Sequence, residues 1–150
     1  MQPTRGRAGF TLIELVIVLM VGALLTGIAF RSFSGVMGKM AARQARQSFA
    51  SLHARTRANA IEMGENVSLN VDMDRDSVWV QRGATRVETI RFRIDLGVDI
   101  QGTGSLRLCM NPRGFADTSC NSFNTTQTLV FAGGTDTAGV QIRTLGQLYY

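Results

Sequence analysis

Arg5-Gly6-Arg7-Ala8-Gly9-Phe10-Thr11-Leu12-Ile13-Glu14-Leu15 is the stretch on which the reading of this chain turns. It joins a basic arm, free of acids, to the start of a long apolar run. From Phe10 to Phe30 twenty-one residues carry a single charge, Glu14, and at about 1.5 Å per residue a helix of that length reaches about 32 Å. That spans the hydrocarbon of a bilayer, so a purely soluble cytosolic protein is not expected. The run is also too long for the apolar part of an ordinary secretory signal, and it holds an acid. An ionised carboxylate in hydrocarbon costs about 2.5 kcal/mol or more, so Glu14 is expected to have a partner or a role. No basic residue lies between it and Arg31. The partner should come either from the chain's own new amino terminus, if the arm is removed, or from the amino terminus of a neighbouring copy.

Further along, no proline occurs between Thr4 and Asn111, which leaves Phe10 to about Met63 free of the strongest helix breaker. Beyond the apolar run the pattern turns amphipathic. Ala41, Ala45, Phe49, Leu52, Thr56, Ala60 and Met63 recur at spacings of four and three, with Arg43, Arg46, Gln47 and Arg57 off that line. One helix of about 80 Å is predicted, too long for a small domain to cover, so its first half must bury itself in lipid or in other protein chains. Gly22, Gly27, Gly35 and Gly38 weaken it, and local melting is expected near Gly35 and Gly38. Gly64 should end it. The period then changes to two: Val67, Leu69 and Val71; Val78 and Val80 around Trp79; and Val87, Ile90, Phe92 and Ile94 read as strands. Further short strands are expected at 105–110, 127–131, 140–143 and 147–150, giving one mainly antiparallel sheet covered by the lower helix. The class is α+β.

A length of 150 residues with 45% hydrophobic and 18% charged residues argues for one domain with a buried core rather than disorder. The net charge of +5 is unevenly placed. Residues 1–9 hold +2, residues 10–63 hold six basic residues against Glu14 and Glu62, and residues 64–150 hold eight arginines against nine acids, leaving −1. The sheet region is thus nearly neutral. Arg31, Lys39, Arg43 and Arg46 could meet lipid phosphates, a partner or nucleic acid, and charge alone does not choose. On the positive-inside rule Arg31, Lys39 and Arg43 sit on the wrong side of an outward-facing domain, so the short basic leader is taken to set the orientation.

No constellation for catalysis is visible. Asp72-Met73-Asp74-Arg75-Asp76 has the alternate carboxylates of a calcium loop's start, but Ser77 stands at the sharp-turn glycine and Gly83 at the bidentate acid, so a solvated hairpin turn is expected. His53, the single histidine, is assigned a surface or packing role. Trp79 and Phe92 are assigned to the core or a sheet face. Arg91 and Arg93, with Arg82 and Arg86 nearby, form a candidate basic patch on one strand face. Cys109 and Cys120 lack the further ligands a metal would need. Outside the cytoplasm they are expected to form a disulfide worth about 3 kcal/mol; two free thiols are the alternative. Neither cofactor nor metal is expected, and the chain is not expected to be an enzyme.

The basic leader, Gly9 and Phe10-Thr11-Leu12-Ile13-Glu14 resemble the signature of type IV prepilins and of the pseudopilins of type II secretion. The resemblance implies a type IV pilin-like fold and a prepilin peptidase that cuts between Gly9 and Phe10 and methylates the new amine. It also implies that Glu14 pairs with the amine of an adjacent subunit in a filament. The implied division is a leader at 1–9, a transmembrane and assembly helix at 10–31, an amphipathic helix at 32–63 and a periplasmic β-sheet domain at 64–150. Asn111-Pro112-Arg113-Gly114 and residues 140–148 are similar to the GspH/FimT group of minor pilins and pseudopilins. That similarity implies a minor pseudopilin of a type II secretion system in the inner membrane, with other subunits and secreted cargo as partners, or alternatively a FimT-like minor type IV pilin. DNA-binding members resemble one another in an arginine-bearing stretch near the carboxyl end. This chain reads Gly146-Gln147-Leu148-Tyr149-Tyr150 there, which argues against DNA as a partner.

Overall fold

The computed structural model describes residues 11–150, with the backbone alone described at 29–34. The leader at 1–9 and the cleavage pair Gly9 and Phe10 lie outside the described residues. In chain order the elements are α1 (Leu12–Met63), β1 (Val67–Asp72), β2 (Ser77–Arg82), β3 (Thr85–Arg91), α2 (Phe92–Leu96), β4 (Asp99–Gln101), β5 (Ser105–Met110), β6 (Gln127–Gly133), β7 (Asp136–Ile142) and β8 (Leu148–Tyr149). The class is α+β, as predicted. The melting expected near Gly35 and Gly38 does not occur, and both stay helical within α1.

The chain divides after Ser34 into two units, described in turn. In the first, every described side chain from Thr11 to Ile28 is exposed. Among the described residues no helix is long and apolar enough to cross a membrane. The crossing expected at 10–31 takes in Phe10 and side chains from 29 onward, which the description does not cover.

In the second unit, the helical residues from Gly35 run to Met63, and Gly64 ends them in the left-handed conformation, φ 67°, donating its N–H to the Ala60 carbonyl at 3.1 Å. The predicted apolar line is the packed face from Ala45 to Ala60, where Ala45, Phe49, Leu52, Thr56 and Ala60 are buried; Ala41 is half-buried, and Met63, at the end of the helix, is exposed. Gly38 meets β6 so closely that a Cβ on it would lie 2.5 Å from the Gly133 carbonyl oxygen, and one on Gly133 would lie 2.5 Å from that of Gly38. Two glycines facing one another let backbone touch backbone, and Gly38 is held in the helix by this packing.

The strands form two four-stranded antiparallel sheets, ordered β3-β2-β1-β5 and β4-β6-β7-β8. This corrects the expectation of a single sheet. The core is common to α1 and both sheets, with Phe131 of β6 at its centre, 5.8 Å from the Phe49 ring and 5.2 Å from that of Phe92.

The third strand is shorter than its alternation suggested. It stops at Arg91, and Phe92 and Ile94 lie in α2 instead. The causes are local polar bonds. The Asp95 carboxylate accepts the Arg91 N–H at 2.9 Å, the Asp76 carbonyl accepts the Phe92 N–H at 2.7 Å, and Gly97, at φ 65°, closes the turn. Phe92 is still fully buried.

Candidate functional site

The Thr11 carbonyl accepts the N–H groups of Glu14 and Leu15 at 3.1 and 3.2 Å, and its Oγ1 accepts the Glu14 N–H at 3.3 Å. Thr11 is therefore the cap of α1, and Glu14 sits in the first turn, where free N–H groups favour a negative charge. The Thr-x-x-Glu spacing is that of a capping box. Among the described residues no cation lies within 4.0 Å of the Glu14 carboxylate. Further along the apolar run, Thr26 gives its hydroxyl proton to the Gly22 carbonyl at 2.7 Å, which keeps that side chain from needing an outside acceptor.

The remaining candidates fall into the framework of the domain. His53 is buried, and its Nε2–H donates to the Gly146 carbonyl at 2.8 Å. Burial pushes its pKa down, the Gly146 hydrogen bond opposes this, and the nearby positive charge of Arg57 adds to the lowering. The turn between β1 and β2 is not wholly solvated. Asp76 is buried, with φ 48°, and its carboxylate accepts the Ile100 N–H at 2.6 Å and the Arg93 Nε–H at 2.8 Å. Asp74 accepts the Gly104 N–H, and Asp72 accepts that of Arg75. These carboxylates are spent on tying loops together, and no group of His, Cys, Asp or Glu suited to a metal occurs among the described residues.

The basic patch is dispersed. Arg93 lies on α2, not on a strand face with Arg91, and pairs with Asp76 and with Asp99 at 3.0 Å. Arg82 lies 3.5 Å from Glu65, and the Arg86 guanidinium stacks 4.2 Å above the Trp79 ring. Cys109 of β5 and Cys120 are joined as a disulfide, Cα atoms 5.7 Å apart. It pins a loop in which Ser119, through its hydroxyl first and its N–H second, holds the Asp117 carboxyl below its ordinary pKa. The quartet 111–114 forms a tight turn. Asn111 Oδ1 accepts the N–H groups of Arg113 and Phe115, and Gly114, at φ 76°, lies where a Cβ would strike Ile61 and Arg57 of α1.

Residues 4–30 match the model of the prokaryotic N-terminal methylation motif. No curated protein matches the chain. Two crystal structures of the type IV minor pilin FimU from Pseudomonas aeruginosa (strain PAO1) share its fold. In space group P65 the TM-score is 0.53 at 10% identity, covering 71% of this chain and 90% of that one. In space group P21 the TM-score is 0.54 at 11% identity, covering 72% and 86%. The chain thus joins a prokaryotic N-terminal methylation motif at residues 4–30 to a fold shared with a type IV minor pilin.

Proposed function

We propose that the chain is a minor pseudopilin of a type II protein secretion system. Prepilin peptidase cuts between Gly9 and Phe10 and methylates the new amine. Residues 10–31 hold the protein in the inner membrane, and 64–150 face the periplasm. Assembly exchanges lipid contacts for helix contacts with other subunits, and the sheet domain offers surfaces to those subunits or to secreted cargo. The observation that carries the proposal is Glu14, a lone acid in the first turn of an otherwise apolar and exposed helical stretch, inside the residues that match a methylation motif. Such a carboxylate is tolerable in an apolar surrounding only when a positive group arrives, so pairing with a neighbour's amine also sets subunit register. Mass spectrometry of native material should show a chain beginning with N-methylated Phe10, and Glu14→Ala should enter filaments poorly. An unprocessed chain, or a variant that assembles like the parent, contradicts the proposal.

The second reading is a minor subunit of a type IV pilus, favoured by the likeness to FimU. Deleting the gene separates the two: loss of protein secretion with pili intact supports the first, and the reverse supports the second. Binding of DNA is disfavoured by a sheet domain of net charge −1, in which Gly146-Gln147-Leu148-Tyr149-Tyr150 carries no cation for a phosphate.

A further inference from the structure

Strand β8 covers one end of β7 only, pairing Tyr149 with Gln141 and Leu148 with Ile142. The Arg143 N–H donates to the Gln147 carbonyl at 2.9 Å, so it points to the β8 side. In an antiparallel strand alternate residues turn both backbone groups to the same edge. Gln141, Gly139 and Thr137 therefore point that way too, and among the described residues no strand meets Thr137 and Gly139 there. The edge also lacks the lysine, proline or bulge that usually blunts an open strand.

Beside this edge lies a groove of about 520 Å³ between α1 and β7. Lys39, Arg43 and Arg46, spaced four and three along one helix face, line one wall, and residues 136–139 line the other. Asp136 is the single acid of the lining, and among the described residues none of the three cations lies within 4.0 Å of a carboxylate. Arg46 also flanks the adjoining cleft beside Gly139, Val140 and Gln141, where its guanidinium lies 5.3 Å from the Tyr150 ring.

We propose that this groove takes an extended acidic segment of a partner protein, which adds to the β7 edge in line with β8 and sets its carboxylates against Lys39, Arg43 and Arg46. Backbone bonds to Thr137 and Gly139 supply affinity, and the cations select acidic sequence. The open edge accommodates about five residues, roughly 16 Å of strand. The proposal does not depend on which machine the protein serves.

The test uses the full chain in detergent micelles and a fluorescein-labelled octapeptide alternating glutamate and valine, read by fluorescence anisotropy. It should bind at least tenfold more tightly than the lysine–valine counterpart, and the double variant Lys39→Glu with Arg43→Glu should reverse that order. Gly139→Pro removes an N–H that serves no ladder bond and fills the slot with its ring, so it should cost at least tenfold in binding at an unchanged melting temperature. Where proline lowers the melting temperature, amide exchange in the parent answers the same question: saturating peptide should slow exchange at Thr137 and Gly139 at least tenfold. Equal binding of both peptides, unslowed exchange, or tighter binding of a single-stranded oligonucleotide than of the glutamate peptide each overturns the proposal, the last in favour of nucleic acid.

Discussion

The Nε2–H of His53 donates to the carbonyl of Gly146 across 2.8 Å, fastening the amphipathic part of α1 to the turn between β7 and β8. Gly146 is suited to the place, at φ 79° and with Met110 Cε and Ala116 Cβ each 3.1 Å from where a Cβ would sit. Burial holds the His53 pKa below its ordinary 6.5, so the unfolded chain binds the proton more readily than the folded one. Stability is then full above about pH 6.5 and is lost as the pH falls through the lowered folded value. Melting temperature should drop between pH 7 and pH 5, and His53→Gln should flatten that slope while costing about 1 kcal/mol at pH 7.5. A parent curve as flat as the variant's refutes the assignment.

Two glycine substitutions in one helix should have opposite signs. Gly38→Ala places a methyl 2.5 Å from the Gly133 carbonyl oxygen, whereas Gly35→Ala meets nothing within 4 Å. The first should destabilise by about 1–3 kcal/mol, and the second should stabilise by about 1 kcal/mol through helix propensity. Chemical denaturation of both variants beside the parent decides it.

Asp76 joins the β1–β2 turn to α2 and β4 through Arg93 and the Ile100 N–H. Asp76→Ala leaves that N–H without its acceptor and should cost about 1–3 kcal/mol. Because the bonds bridge two sheets, amide exchange at Ile100 should accelerate more than exchange in β7.

Replacing Cys109 and Cys120 together by serine should lower stability by about 3 kcal/mol in the chain-entropy model. Reducing agent should move the parent's melting temperature toward the variant's and leave the variant unchanged. The loop around Asp117 should then lose protection first.

Several elements could be read directly from residue order. The positions of α1 that pack in the domain, Ala45, Phe49, Leu52 and Ala60, follow the helical period, and Val67, Leu69 and Val71 follow the strand period, because both periodicities are properties of the local backbone. The end of β3 at Arg91 could not be read this way, since it depends on the Asp76 carbonyl across the chain. Strand β4 was missed for a similar reason: three residues carry too little alternation to be seen, and it exists by pairing with β6.

From the order of residues alone came the methylation motif, the lone acid in an apolar run, the long helix and the change of period at Gly64. Each is a linear or nearest-neighbour property, complete within a few turns of chain. Only tertiary structure divided the strands into two sheets, buried His53 beneath Gly146, consumed the carboxylate of Asp76 and left Thr137 and Gly139 on an open edge beside three cations. Those outcomes rest on partners far apart along the chain, whose choice is made by shared burial and by the need to satisfy backbone polar groups, neither of which is written in any local stretch.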